Sequence, residues 1–284
     1  MRASCAQLAA GAQSVTIELD AIAHVEPGPP PAPDPLRHYL EGSPAEVAAY
    51  FLTLDAVNFG SGWFPTLRKR AGSSGYFTVA WALADRFRAH GPWTPPQLRA
   101  IGTAEIADTL GQPRDHELMA LYAQALRELG RFLGDRDALA VVRGAHGSAQ
   151  ALAADLAGSM TLFADRGFYK RAQIAAADFA LAGVARFKDL HRLTIFADNL
   201  VPHVLRCDGV LRYDADLAAH VDSGRLLPAG RREREIRACA VRACELIAAR
   251  VGASEHELDN WLWSRGQAPQ YKSRPRHRTR TVYY

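Results

Sequence analysis

Residues 116–133 read HELMALYAQALRELGRFL, and this stretch decides the fold class. Its apolar residues are Leu118, Leu121, Tyr122, Ala125, Leu126, Leu129, Phe132 and Leu133. They recur at intervals of three and four, which puts them on one face of a helix. Residues 233–251 repeat the pattern with Ile236, Ala240, Ala243, Cys244, Ile247 and Val251. Further helices are expected over 44–57, 75–88, 147–156, 168–184, 195–207 and 254–264. Gly111, Gly134, Gly183 and Gly266 stand where helix C-caps belong. Ser43 with Glu46, and Ser254 with Glu257, have the spacing of capping boxes, and Pro44 suits a first helical position. The one strand signal is SVTIELD at 14–20, where Val15, Ile17 and Leu19 alternate with polar residues. Strands do not alternate with helices, so a parallel sheet is disfavoured and an all-α fold is expected.

Working outward, EPGPPPAPDP at 26–35 holds six prolines and cannot be helix or central strand. It reads as a connector between a short N-terminal arm, 1–35, and a single helical domain, 36–284. The chain has 284 residues, 48% of them hydrophobic and 23% charged, which suits a globular protein with a sizeable core. It contains no apolar run long enough to span a membrane and no strong secretory core, so a cytoplasmic protein is expected. The four cysteines form no CxxC pair, and they read as free thiols. Residues 265–284 carry Arg265, Lys272, Arg274, Arg276, Arg278 and Arg280 and no acid. That is +6 of a total of +4, which leaves the rest of the chain at −2. A basic tail can contact nucleic acid or another anion, or be solvated.

Generic motifs exclude several chemistries. GSGW at 60–63 and GSSG at 72–75 lack phosphate-loop spacing, no HExxH occurs, and no GxSxG elbow occurs. The histidines never group at metal-ligand spacing, so neither metal nor cofactor is expected. Two stretches stand out. In KDLHRLTIFADNLVPHVLRCDGVLRYD at 188–214, Asp198 follows an apolar run and precedes Pro202. A carboxylate so flanked is kept for pairing, for helix initiation or for chemistry. In FYKRAQIAAAD at 168–178, Lys170 and Arg171 could hold an anion or be two solvated charges.

Several strings, in order, carry a resemblance: VNFGSGW at 57–63, SSGYF at 73–77, FYKRAQIAAAD, FKDLHRLTIFADNLVPHVL at 187–205, GVLRY at 209–213, EIRACAVRACELI at 235–247, LDNWLW at 258–263 and HRTRTVYY at 277–284. From about His38 to Tyr284 the chain resembles the queuosine salvage protein family, whose members act as queuosine 5′-phosphate N-glycosylases. The resemblance implies hydrolysis of the N-glycosidic bond of queuosine 5′-monophosphate, releasing queuine for tRNA modification. It also implies a fold similar to helix-hairpin-helix DNA glycosylases. By the same resemblance, Asp198 is the catalytic aspartate, and His38, Lys170, Tyr283 and Tyr284 bind the 5′-phosphate. Asn58, Phe59, Trp63 and Phe196 are assigned to the base. Glu245, Asp259 and Trp263 are possible substrate contacts, with a structural role open for the two acids. The partner implied is a small molecule, acted on by a monomer without a membrane.

A nucleic-acid-binding module is the competing class, motivated by the basic tail. The near-neutral body and the lack of a Gly-rich hairpin argue against it. A helical scaffold without chemistry would leave the matching Asp, Lys, His and aromatic strings without a reason.

Overall fold

The structure is a computed structural model that describes residues 1–29 and 31–284; Pro30, inside the proline-rich connector, lies outside the described residues. The helices in chain order are α1 (Arg2–Ala10), α2 (Leu19–Ile22), α3 (Pro44–Ala56), α4 (Gly75–His90), α5 (Pro95–Ala100), α6 (Thr103–Thr109), α7 (Glu117–Leu133) and α8 (Ala138–Gly144). They continue as α9 (Ala149–Ser159), α10 (Lys170–Leu181), α11 (Val201–Cys207), α12 (Ala215–Asp222), α13 (Arg231–Val251), α14 (Glu255–Arg265) and α15 (Pro269–Lys272). Two three-residue strands, β1 (Val15–Ile17) and β2 (Leu211–Tyr213), pair antiparallel with Val15 opposite Tyr213. The protein is therefore mainly α-helical. Among the described residues no helix is long and apolar enough to cross a membrane.

Contacts divide the chain into two compact units. The first comprises 1–31, 166–170 and 191–281, and the second 32–165, 171–190 and 282–284.

In the first unit α13 is the central helix, with α1, α11, α14 and β1 packed on it. Its buried residues include Ile236, Cys239, Ala240, Ala243, Cys244 and Ile247, the face expected from their spacing. The N-terminal segment is part of this core, since Cys5, Val15 and Ile22 are buried in it. Helix α1 was not anticipated, because RASCAQLAA is short and only weakly amphipathic; packing on α13 stabilises it more than propensity does. The strand signal at 14–20 is real but shorter than expected. It ends at Ile17, and Leu19 opens α2 and is exposed.

In the second unit α7 is the hub, contacting α3, α5 and α6. Its buried arc is Leu118, Met119, Tyr122, Ala123, Ala125, Leu126, Leu129, Gly130 and Leu133. Leu121 and Phe132 lie only half-buried, so the face is turned slightly from the one the largest side chains suggest. The cause is α5, which runs against Gly130: a methyl group there would lie 2.6 Å from the Arg99 backbone nitrogen. Both capping boxes form, at Ser43–Glu46 on α3 and at Ser254–Glu257 on α14, the latter in the first unit. Helix α11 begins at Val201, six residues later than expected, because residues 193–199 run into it as non-helical chain.

Candidate active site

The first unit holds Asp198, Lys170, Phe196, Glu245, Asp259 and Trp263. Asp198 closes the turn into α11: its Oδ1 accepts from the backbone N–H of Leu200 at 2.7 Å and of Val201 at 3.0 Å. An aspartate bonded two and three residues ahead has the geometry of an Asx turn, here just before the α11 N-cap at Leu200. The initiation role read from sequence is therefore present, and it occupies one carboxylate oxygen. Oδ2 accepts no hydrogen bond from a described residue, and the side chain is half-exposed. The carboxylate thus has an anchored oxygen and an available one.

The chain before it is fixed from three directions. Arg237 on α13 donates Nε–H to the Ala197 carbonyl at 2.8 Å. Asp259 on α14 accepts the Phe196 N–H at 2.8 Å. Asn199 donates to the His277 carbonyl at 3.1 Å, so the C-terminal basic segment is packed into this unit. Leu227 binds the same segment twice, its N–H donating to the Arg278 carbonyl and its carbonyl accepting the Thr279 hydroxyl. Arg276 is half-buried; burial lowers its pKa and the charge of Asp198 acts against that. The Arg237 guanidinium lies 3.9 Å over the Phe168 ring and pairs with Glu233 at 3.4 Å.

Lys170, 5% exposed, opens α10 directly after Tyr169, whose φ of 52° is left-handed. A bulky residue rarely holds that conformation, and the residue before it, Phe168, is packed against Arg237. The other expected residues of this unit differ in kind. Asp259 spends an oxygen on the Phe196 backbone, which is a structural use. Glu245 pairs with Arg242 at 2.7 Å on the same helix. Phe196 is 4% exposed and Trp263 is half-buried.

The second unit holds His38, Asn58, Phe59, Trp63, Tyr283 and Tyr284. His38 is buried, with Nδ1 at 3.1 Å from the Asp34 carbonyl and Nε2 at 3.1 Å from the Tyr76 hydroxyl. A carbonyl only accepts, so Nδ1 carries the proton and Nε2 of the neutral ring accepts from Tyr76. Burial pushes its pKa below the usual histidine value, which favours that neutral form.

The loop after α3 carries Asn58, half-buried, whose amide donates to Asp55 Oδ1 at 3.4 Å. The Phe59 ring is 1% exposed, edge-on to Tyr122 at 5.0 Å, and its carbonyl accepts the Tyr122 hydroxyl at 2.8 Å. Gly60 has φ of 102° and no room for a side chain, since a methyl would lie 2.7 Å from Leu118. Its N–H donates to the Tyr284 carbonyl at 3.0 Å, which joins this loop to the end of the chain. Trp63 is 5% exposed and donates to Glu117 at 2.7 Å. The aromatic rings expected at the base are thus deep in the packing of the loops that bear them. The structure also reassigns Arg171. It is 1% exposed and bonded to backbone carbonyls, not set out to meet an anion.

The model of the family described as queuosine salvage protein matches residues 38–284. The chain belongs to the queuosine salvage protein family. Within that family, a protein of Sphaerobacter thermophilus named queuosine 5′-phosphate N-glycosylase/hydrolase is 34% identical over 307 aligned positions, covering 96% of this chain and 94% of the relative. Proteins of the same name from Dictyostelium discoideum and Mus musculus match at 37% and 35% identity over 41% of this chain and 40% of their own lengths. The long bacterial match includes most of the N-terminal segment, in keeping with α1 and β1 being part of the first unit's core.

Proposed function

We propose that this chain hydrolyses the N-glycosidic bond of queuosine 5′-phosphate, releasing queuine for reuse in tRNA modification. Family membership and a nearly full-length relative of that name support the substrate class. The observation that carries the mechanism is the half-used carboxylate of Asp198, one oxygen held by two N–H groups and the other open.

Water attacks C1′ of the ribose and the C1′–N bond breaks, the electron pair leaving with the base. One proton of the water ends on the departing base and the hydroxyl stays on C1′, giving ribose 5-phosphate. Positive charge develops on the sugar as the bond lengthens, and a fixed carboxylate stabilises it without rearranging. A deazapurine has carbon where a purine has N7, so that ring nitrogen cannot be protonated to help departure. More of the barrier then falls on stabilising the sugar, which suits an aspartate. Oδ2 of Asp198 faces the sugar or takes a proton from the attacking water. The three ties on the chain around Asp198 hold that oxygen in place.

The remaining roles follow residue by residue. Lys170 supplies a cation for the 5′-phosphate and His38 acts there together with Tyr76. Tyr283 and Tyr284 contribute at the phosphate, and Asn58 at the base. Phe59, Trp63 and Phe196 shape the segments that recognise the base. Asp259, Glu245 and Trp263 complete the substrate contacts. We further infer a helix-hairpin-helix glycosylase-like catalytic domain over 36–284, acting as a cytoplasmic monomer on free nucleotide.

Purified protein is incubated with queuosine 5′-phosphate, queuosine and guanosine 5′-phosphate, and products are separated by chromatography. Release of queuine from the phosphate, much faster than from the nucleoside and absent for the guanosine compound, is the expected result. Three intact substrates would refute the proposal.

A further inference from the structure

Arg171 is fully buried inside the second unit, and it lies between two pieces of chain far apart in sequence. Nη1 donates to the Ala56 carbonyl at 2.6 Å and reaches the Asp55 carbonyl at 3.4 Å. Nη2 donates to the Val282 carbonyl at 2.8 Å. The guanidinium sits 4.7 Å from the ring centres of both Phe59 and Phe163. In the same loop the Gly60 N–H donates to the Tyr284 main-chain oxygen at 3.0 Å. Residues 55–60 and 282–284 are thereby tied together twice, once through Arg171 and once directly.

The chemistry selects arginine. Two carbonyls on different segments need two donors held at a fixed separation, which a planar guanidinium fork provides and a lysine ammonium on a flexible stem does not. The flat cation also fills the space between two aromatic faces. A charge is costly to bury, and burial moves the pKa of Arg171 down to about 10, with Asp165 and Asp55 opposing the shift. An apolar side chain of the same volume would fill the space but take the Arg171 donors away from the Ala56 and Val282 carbonyls.

The geometry points to Arg171 as a positioning residue, whose fork fixes the Asn58–Phe59 loop and the Val282–Tyr284 segment in one arrangement. This rests on the proposed function, in which the first segment serves the base and the second the phosphate. Arg171 touches neither. It sets both, so its loss weakens substrate binding more than it slows the bond-breaking step.

The test uses the full chain with Arg171→Lys, and with Arg171→Met as a volume-matched second variant. Hydrogen–deuterium exchange is followed in peptides covering 55–64 and 276–284, with a peptide from α13 as control. Exchange at least tenfold faster in both segments, with the control unchanged, is expected in either variant. The KM for queuosine 5′-phosphate is expected to rise at least tenfold, with kcat changed by less than about threefold. Unchanged exchange in either segment would overturn the tie, and faster exchange with an unchanged KM would overturn its role in the reaction. If neither variant folds, deleting Val282–Tyr284 must raise exchange over 55–64, and protection there would also overturn it. A wild-type chain that leaves queuosine 5′-phosphate intact would instead fail the functional reading itself, and the two failures are thus told apart.

Discussion

Asp198 holds the turn into α11, the proposed function adds a second job at the sugar, and a pair of substitutions separates the two. Asparagine keeps Oδ1, so Asp198→Asn retains an acceptor for the Leu200 and Val201 N–H groups now bonded at 2.7 and 3.0 Å. Alanine removes it. Losing the hydrogen bonds of such a turn costs about 1 kcal/mol, whereas asparagine, which keeps the acceptor, costs less. For a chain of 284 residues, 1 kcal/mol corresponds to roughly 2 °C in melting temperature. The chemical step responds differently under the proposed function, because both variants lose the carboxylate charge that it sets against the sugar. A loss on the order of 10³-fold in kcat, about 4 kcal/mol of barrier, is expected for each. The assay is single-turnover release of queuine from queuosine 5′-phosphate, run beside thermal unfolding of the wild type and both variants. The expected pattern is equal inactivity with unequal stability, the alanine protein melting about 2 °C below the asparagine protein. An Asp198→Asn protein within tenfold of wild-type turnover would remove Asp198 from the chemistry. Equal melting of the two variants would show that the Oδ1 bonds do not hold the turn.

Two further outcomes test the packing. Gly130→Ala improves helix propensity by about 1 kcal/mol, yet its methyl would meet the Arg99 nitrogen at 2.6 Å and Leu98 Cβ at 2.8 Å. Overpacking against backbone costs typically 1–3 kcal/mol, so a net fall in melting temperature is expected, and a rise would show that α5 yields. His277 is fully buried, and burial lowers its pKa from 6.5 to about 3. Between those values the unfolded chain binds a proton that the folded chain does not, so stability is full above about pH 6.5 and falls on acidification toward 3. The slope from one such group is about 1.4 kcal/mol per pH unit. Thermal unfolding at pH 7.5, 6 and 5 should show that decline and His277→Gln should flatten it; parallel curves would refute the assignment.

Much of the helical content was legible because it depends on local rules. The spacing in 116–133 and 233–251, the two capping boxes and the glycine after α7 act within a few residues of chain. What escaped depends on distant partners. Helix α1 has little amphipathic pattern of its own and forms against α13. Residues 195–200 look like the start of α11, but backbone groups at Phe196 and Ala197 are taken by Asp259 and Arg237 from elsewhere in the sequence. Those bonds divert the backbone from a helix, and no local pattern announces them. Arg171 is the sharpest case. An arginine beside a lysine at a helix start normally reads as a solvated charge, and only three carbonyls supplied by remote segments make it a buried one.

The same distinction bears on how the family strings should be read. Phe59, Trp63 and Phe196 are 1, 5 and 4% exposed. Rings so covered are held in the packing of the segments that bear them. Phe59 sits under Arg171 and against Tyr122, and Trp63 spends its N–H on Glu117. These contacts fix where Asn58 and Gly60 lie, and the Asn58 amide, half-buried, donates to Asp55. Asp198 follows the same logic, since the residue before it and the one after it are bonded to distant segments and the carboxylate itself is half-exposed. In both places the chain spends its most distinctive residues on holding one polar group still. A fixed carboxylate lowers the barrier more than a mobile one, because no reorganisation is needed as charge develops.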